Sequence, residues 1–280
     1  MLTQFFYNLL VFFCWLIPGH YVWVAIVLIT ILLRLAFLKP SIKMVETQHK
    51  QKKLQPHLDR IKTEHAADKQ AQQKAIMELY KKEGVNPLGG CLPMIIQLIV
   101  LIGFYRVFTQ MGLGLVKVQH LYSFIPKLSV LNSSFFGIDL AKTVAVLTHS
   151  GGATAIAAYL FPIIVGGTQL IQSLQARAMQ PKTAGGQGES FQKALNAQFT
   201  YLFPLMAAYI SYTLSAALSI YWITQTVFMI AQQKYAVSKL QRIQEMVSES
   251  GLGKAKEIAS GPKSEIFKKG DVVVEVKKKE

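Results

Sequence analysis

Cysteine is scarce in this chain, which has only Cys14 and Cys91 among its 280 residues. Each lies in or beside an apolar stretch, so the pair forms neither a metal-ligand spacing nor a disulfide framework. The six histidines are scattered and show no zinc-binding pattern. The sequence also lacks a phosphate-binding glycine loop and a dinucleotide fingerprint. These absences predict a protein without a cofactor or metal, and one that is not an enzyme.

Lysine and arginine are missing from residues 1–19, although this stretch is strongly apolar. A cleavable secretory signal begins with basic residues, so this segment is not expected to be one. Its aromatic residues and the Pro18-Gly19 break favour an interfacial helix lying on a membrane surface. A further membrane-spanning helix is the alternative interpretation.

Acidic residues are also few, with 15 Asp and Glu against 30 Lys and Arg, for a formal net charge of +15. Hydrophobic residues make up 51% of the chain. They come in blocks, and the basic residues lie between and after those blocks. This distribution argues against a nucleic-acid-binding domain and favours an all-α, polytopic membrane protein.

The apolar blocks predict the membrane-spanning helices, each of which needs about 20 residues. The block 197–231 is too long for one span, so we expect a hairpin of two short spans that turns near Leu214 to Ala217. The prediction is five transmembrane helices within a core of residues 20–236. The spans are 21–38, 88–108, 153–174 and the two arms of 197–231.

The connecting segments differ sharply in basic charge. Segment 39–84 and the tail from Lys234 each carry eleven Lys and Arg, whereas segment 109–152 carries three. Cytoplasmic flanks of membrane proteins are the Lys- and Arg-rich ones. Five spans therefore place the N-terminus outside and the C-terminus in the cytoplasm. The lack of a transit peptide favours a bacterial plasma membrane.

Arg34 lies in the apolar run 21–38, which is otherwise free of charge. A charge inside a spanning helix is costly and usually faces a protein interior or a water-filled cavity. Leu38, at the end of the run, is only about 6 Å of helix rise away, so the side chain could instead snorkel to the interface. The residues alone leave both interpretations open.

Segment 41–84 is too long and too polar for a simple loop. Apolar residues recur at helical spacing on both sides of a weak point at residues 65–68, which predicts a cytoplasmic helical hairpin. Asp68 is expected to cap the second helix, and Pro56 to kink the first arm or mark its restart. The segment is interpreted either as a solvated connector or as a mobile arm that receives a partner.

The hairpin is followed by a distinctive junction, in which Asn86 can cap the next helix and Pro87 suits its first position. The run from Leu79 to Pro93, followed by Gln97, resembles the central motif of the YidC family of membrane protein insertases. The likeness extends from about residue 18 to about residue 236. The resemblance implies a core-only form without the large extracytoplasmic domain. The motif residues are Asn86, Pro87, Gly89, Gly90, Pro93 and Gln97.

In that family the spans enclose a hydrophilic groove that is open to the cytoplasm and to lipid and contains an arginine of the first span. The resemblance implies that Arg34 is this residue, and Thr30 lies one turn earlier on the same helix face. Gln97 is expected to form an interhelical hydrogen bond. The expected groove residues are Arg34, Thr30, Gln169, Tyr221, Trp222 and Gln225.

The resemblance implies an insertase and chaperone for short or weakly hydrophobic membrane proteins. Its expected partners are newly made membrane proteins, lipid, a Sec translocon and the ribosome, and it would work as a monomer or with the translocon. The Lys-rich tail 237–280 is expected to be largely disordered and to touch either anionic lipid or ribosomal RNA. A membrane-embedded assembly scaffold and an anion transporter are the alternative functions, although no internal repeat favours a transporter.

Overall fold

The computed structural model describes residues 1–85, 92–111, 113, 115–179 and 197–259. The chain divides into two units, Met1–Lys234 and Tyr235–Glu280, and every contact discussed below lies within the first.

The described residues are mostly helical, in agreement with the all-α prediction. Short π-helical segments, Val107–Met111 and Gln198–Leu202, adjoin two of the helices, and a small antiparallel hairpin pairs β1 (Ser134–Phe135) with β2 (Ile138–Asp139). The α-helices are α1 (Leu2–Leu16), α2 (Val22–Ala36), α3 (Leu38–Lys53), α4 (Gln55–Glu64), α5 (Lys69–Lys82), α6 (Leu92–Arg106), α7 (Val144–Thr148), α8 (Gly152–Met179), α9 (Phe203–Thr213) and α10 (Ala216–Ala259).

Helices α2, α6, α8, α9 and α10 form from the predicted apolar blocks. The last block breaks where the sequence predicted a turn, because Leu214 adopts an extended conformation that ends α9 and α10 begins at Ala216. Among the described residues, Gly152–Ala178 is long and apolar enough to cross a membrane by itself. Helices α2 and α3 meet at a bend of 59° and pass the same test as one broken span.

The polar segment after α2 forms three helices rather than two uninterrupted arms. Helix α3 follows α2 directly after Phe37, and the chain restarts at Leu54 as α4, with Pro56 in its first turn. A proline is tolerated there because the amide it lacks would have no intrahelical partner. The Asp68 carboxylate accepts hydrogen bonds from the amides of Gln70 and Ala71 at 2.9 and 3.0 Å, which confirms the predicted cap of α5.

Helix α1 is part of the central core and packs against α2 and α6. Its side chains Phe6, Leu10 and Cys14 are buried there. The approach to α6 is close, since a Cβ atom on Gly103 would lie 2.3 Å from the Phe6 ring. Residues 1–19 therefore share a core with the helices that follow, while their position at a membrane interface stays a prediction.

The segment 115–151 is packed rather than open, a feature for which the sequence offered no account. Its residues Leu131, Leu140 and Val144 are buried in the same core as α1 and α2. Backbone hydrogen bonds tie the segment to the start of α2, where the Val22 amide donates to the Asn132 carbonyl at 2.9 Å. Another joins the Val144 amide to the Leu214 carbonyl at 3.1 Å, at the turn between α9 and α10. We call residues 115–151 the closing segment.

Candidate functional site

Arg34 lies in the last turn of α2 and is hydrogen-bonded across to α6. Its Nη2 atom donates to the side-chain oxygen of Gln97. Gln97 in turn donates through Nε2 to the Tyr221 hydroxyl at 3.3 Å, which brings in α10. Three helices that are far apart in sequence are thus connected by one chain of polar side chains.

These side chains line a cavity of about 20 Å³, roughly enough for a single water molecule. The lining mixes polar and apolar side chains. Helix α2 and the residue after it contribute the last two turns, α6 contributes its middle, and α10 contributes its second and third turns. The lining residues are Thr30, Leu33, Arg34, Phe37, Gln97, Val100, Tyr221 and Gln225.

The charge of Arg34 has only neutral partners in this cavity. Within the part of the chain that the structure describes, no carboxylate lies within ion-pair distance of its guanidinium. A partly buried cation without a counterion attracts anionic groups more strongly than an exposed one, because its surroundings screen the charge less than water does. The guanidinium at this cavity is therefore suited to attract an anionic or strongly polar group.

Tyr221 forms the rigid back of the cavity. Its side chain is 1% exposed, and its ring packs against Phe104 of α6 with centroids 5.0 Å apart. Such a tilted aromatic pair holds the hydroxyl in one position. The hydroxyl is thus presented to Gln97 and the cavity from a fixed scaffold.

The two other predicted residues of this cavity behave differently from Arg34. The Thr30 hydroxyl donates to the Ile26 carbonyl of its own helix at 2.6 Å, so its proton is used within α2 while the side chain lines the cavity. Gln225 lies one helical turn after Tyr221 and is 4% exposed. Both residues contribute polarity to the wall of the cavity.

Trp222 and Gln169 form a second polar cluster between α8 and α10. The indole Nε1 donates to Gln169 Oε1 at 3.1 Å, and Gln169 Nε2 donates to Gln172 Oε1 at 3.1 Å. Gln172 Nε2 then contacts the Met229 sulfur at 3.3 Å. Neighbouring residues of an α-helix point about 100° apart, so Tyr221 and Trp222 face different helices. The predicted groove residues are therefore divided between two clusters.

The family-motif residues fall largely outside the described ranges. Asn86, Pro87, Gly89 and Gly90 are not described, and Pro93 is described only as the second residue of α6. Gln97 was assigned to the motif and to interhelical hydrogen bonding, and the structure places it in the Arg34 cavity as well. One signal pointed to this role, since Gln97 is the only amide in the apolar sequence of α6.

Apolar side chains cover the outer faces of several helices. Leu32 of α2, Ile163 of α8 and Leu205 and Tyr209 of α9 are all exposed. Exposed apolar faces of this extent are expected for surfaces in contact with lipid. The class defined by these faces and by the cationic cavity is a helical membrane protein.

Comparison with known families agrees with this class. The family described as "60Kd inner membrane protein" matches residues 15–244. The chain therefore belongs to this family, whose description names a protein of the inner membrane. Relatives named YidC are found among the similar proteins, which confirms the resemblance inferred from the 79–97 motif.

Three relatives illustrate the similarity. Membrane protein insertase YidC of Fusobacterium nucleatum is 30% identical over 216 residues, 77% of this chain and 86% of the relative. Membrane protein insertase MisCA of Bacillus subtilis is 30% identical over 74% of this chain and 67% of the relative. Membrane protein insertase YidC of Alkalilimnicola ehrlichii is 30% identical over 79% of this chain. The chain spans only 33% of that last relative's length.

Proposed function

We propose that this protein is a membrane protein insertase and chaperone for short or weakly hydrophobic membrane proteins. The observation that carries the proposal is the Arg34 guanidinium in its cavity, bonded to Gln97 and without a carboxylate among the described residues. The names of the relatives support the same activity. No chemical bond is made or broken, so the protein acts without catalysis.

The proposed placement has five spans, formed by α2, α6 with its π-helical extension, α8, α9 and the first part of α10. The N-terminus is outside, α1 lies at the outer interface, and helices α3 to α5 project into the cytoplasm. The high basic charge of segment 39–84 supports this orientation. Arg34 then lies near the cytoplasmic end of its span, four residues before Leu38.

A short span assists the proposed transfer. Helix α9 and the π-helical segment directly before it, Gln198–Leu202, form a described helical stretch of 16 residues, which corresponds to about 24 Å of helix rise. This is shorter than a hydrocarbon core of roughly 30 Å. A bilayer thins around spans that are too short for it. The distance that a polar segment must cross is reduced there.

The mechanism combines attraction and burial. Arg34 attracts an acidic or polar segment of the client into the cavity region, where a cation and amide groups replace part of its hydration. The apolar part of the client then moves into lipid along the exposed faces of the helices, driven by removal of apolar area from water. The Gln169–Trp222 cluster holds α8 against α10 and forms a second polar wall of the same groove.

The proposed partners are newly made membrane proteins and lipid. The Lys-rich tail 237–280 is proposed to contact the ribosome, by neutralising phosphates of its RNA. A Sec-type translocon is a further proposed partner for clients that need one.

The function can be tested with purified protein in liposomes and a single-span client that carries an acidic external tail. Protease protection of that tail reports insertion by wild type, Arg34→Lys and Arg34→Ala. We expect insertion by wild type and by Arg34→Lys, because both retain the charge, and a loss of at least about tenfold for Arg34→Ala. Equal insertion by all three proteins would exclude the charged-cavity mechanism.

The alternative functions give different outcomes in the same experiment. An anion transporter in which Arg34 donates two hydrogen bonds to the anion would lose transport with Arg34→Lys as well. Lysine cannot reproduce the planar pair of donors of a guanidinium. A scaffold would insert no client, and Arg34→Ala would release a copurifying membrane partner. Neither alternative is favoured by a specific contact among the described residues.

A further inference from the structure

The hairpin of the closing segment has an unusual turn. Strands β1 and β2 are joined by the two residues Phe136 and Gly137, whose φ angles are +47° and +85°. Two-residue hairpin turns of this kind prefer asparagine or aspartate followed by glycine, because the first position also requires positive φ. Gly137 fits this pattern, whereas a bulky aromatic residue at the first position is rare.

Packing does not explain the phenylalanine either. Phe136 is 88% exposed, the most exposed phenylalanine among the described residues. Its ring lies near two other aromatic rings, with centroids 4.9 Å from Phe135 and 6.4 Å from Trp23. A residue that combines a strained backbone conformation with an exposed side chain suggests that the side chain contacts something other than the rest of the protein.

The surroundings of the hairpin indicate what covers Phe136. Trp23 lies in the first turn of α2, and Phe135 contacts both Trp23 and Phe161 of α8, at 5.5 and 6.2 Å. Further along these two helices, Leu28 and Leu32 of α2 and Ile163 of α8 are exposed. We call Trp23, Phe135, Phe136 and Phe161 the aromatic cluster. It lies next to the apolar faces of α2 and α8, toward the N-terminal ends of these two proposed spans.

Charge near the turn is minimal. Between Lys127 and Lys142 the sequence contains one ionisable residue, Asp139. Its Oδ1 atom accepts hydrogen bonds from the Ser133 hydroxyl at 2.8 Å and from the Ala141 amide at 3.0 Å. This carboxylate is therefore held within the hairpin, and the tip presents an aromatic surface.

We propose that the β1–β2 hairpin is a membrane anchor, whose Phe136 side chain enters the outer leaflet at the boundary between headgroups and acyl chains. Aromatic residues concentrate at that depth in membrane proteins, where an apolar ring and a polar backbone are both accommodated. The anchor fixes the closing segment against the outer ends of α2 and α8. This inference rests on the proposed membrane placement of those two helices.

Site-directed spin labelling measures the predicted depth directly. Single cysteines replace Phe136, Leu32 or Met77 in a Cys14→Ala, Cys91→Ala background, and the labelled proteins are reconstituted into phosphatidylethanolamine–phosphatidylglycerol vesicles. Relative exposure to oxygen and to a water-soluble nickel complex reports the depth of each label. We expect a severalfold higher oxygen-to-nickel ratio at position 136 than at the cytoplasmic control position 77, and the highest ratio at position 32.

The three positions separate the inference from the proposal on which it depends. A water-exposed label at position 136 with a lipid-exposed label at position 32 would overturn the anchor and leave the span in place. Water exposure at position 32 would instead overturn the placement of α2 and, with it, the anchor. Lipid exposure at both positions supports the inference.

A matched substitution tests the role of the side chain without labelling it. Phe136→Asn gives the turn a residue that it prefers, so we expect the unfolding temperature in detergent to be unchanged or higher. With the label at exposed Ser134, the same substitution should lower the oxygen-to-nickel ratio in vesicles, because the apolar anchor is lost. Phe136→Trp should preserve the ratio. An unchanged ratio in Phe136→Asn would show that Phe136 does not hold the hairpin in the membrane.

Discussion

Arg34 illustrates how a single residue gains a role from its neighbours. Burying part of a guanidinium costs free energy unless its N–H groups donate hydrogen bonds. Gln97 accepts from one N–H group of the guanidinium and donates onward to Tyr221, so one donor is paired while the positive charge is retained. An amide is suited to this position because it accepts from the cation without neutralising it.

Exchanging that amide for a carboxylate tests the argument. In Gln97→Glu the accepting oxygen remains, and the added negative charge pairs with Arg34. We expect the unfolding temperature in detergent to be at least that of wild type, while client insertion falls to the level of Arg34→Ala. Insertion at the wild-type rate would contradict a requirement for the uncompensated charge.

The matched control is Gln97→Met, which has a similar shape and no charge. It removes the acceptor of the Arg34 hydrogen bond and leaves the positive charge available. We expect a loss of about 1–3 kcal/mol in the free energy of unfolding, with insertion retained. The two variants thus separate stability from activity, because Gln97→Glu is expected to lose only insertion and Gln97→Met only stability.

At the scale of elements, α1 has two separate tasks. Its apolar face packs against α2 and α6, and its polar side chains hold the closing segment. Asn8 is 2% exposed and accepts from the Tyr122 amide at 2.7 Å while donating to the His120 carbonyl at 3.0 Å. The Tyr7 hydroxyl accepts from the Lys117 amide at 2.8 Å. An N-terminal helix thereby determines where a distant loop lies.

Asn8→Leu removes both side-chain hydrogen bonds to the closing segment. It leaves the Tyr122 amide without its partner and the His120 carbonyl with only the long contact from Gln4, so we expect a loss of about 1–3 kcal/mol in the free energy of unfolding. Hydrogen exchange at residues 117–122 should accelerate, whereas exchange in α8 should change little. Gln4→Ala is the control, because its contact with His120 is long, at 3.4 Å. Equal protection in wild type and Asn8→Leu would show that these bonds do not position the segment.

At the scale of the whole molecule, the basic segments and the closing segment are proposed to lie on opposite sides of a membrane. Labelling of intact cells with a membrane-impermeant thiol reagent tests this arrangement, in a background lacking Cys14 and Cys91. We expect Ser134→Cys in β1 to react in intact cells and Met77→Cys in α5 to react only after permeabilisation. The opposite pattern would reverse the proposed orientation, and reaction of both in intact cells would exclude an odd number of spans between them.

Several features of the molecule could be predicted from residues that lie close together in the sequence. Arg34 was identified because a charge interrupts an apolar run, and the family was identified from residues 79–97. The Asp68 cap was predicted because it depends on residues within one turn of each other. The break near Leu214 was predicted because the block 197–231 is too long for one span. The count of five spans, the domain limits and the roles of the groove residues stay predictions.

Contacts between segments that are far apart in the sequence could not be predicted in this way. Nothing in the spacing of residues indicates that Gln97 faces Arg34, or which helices Tyr221 and Trp222 face. The closing segment had no interpretation, because its burial depends on hydrogen bonds with residues up to 116 positions away, as between His120 and Gln4.

Local pattern was enough to predict a basic, helical membrane protein, because apolar blocks and helix signals act over a few turns, and the resemblance of residues 79–97 indicated its family. Only the tertiary structure determined which side chains line the Arg34 cavity and how the closing segment packs against the helices. Helices with apolar surfaces can pack in many ways, and the choice among them depends on shape and on pairing every buried polar group. Those conditions are met by all the elements together and cannot be evaluated one segment at a time.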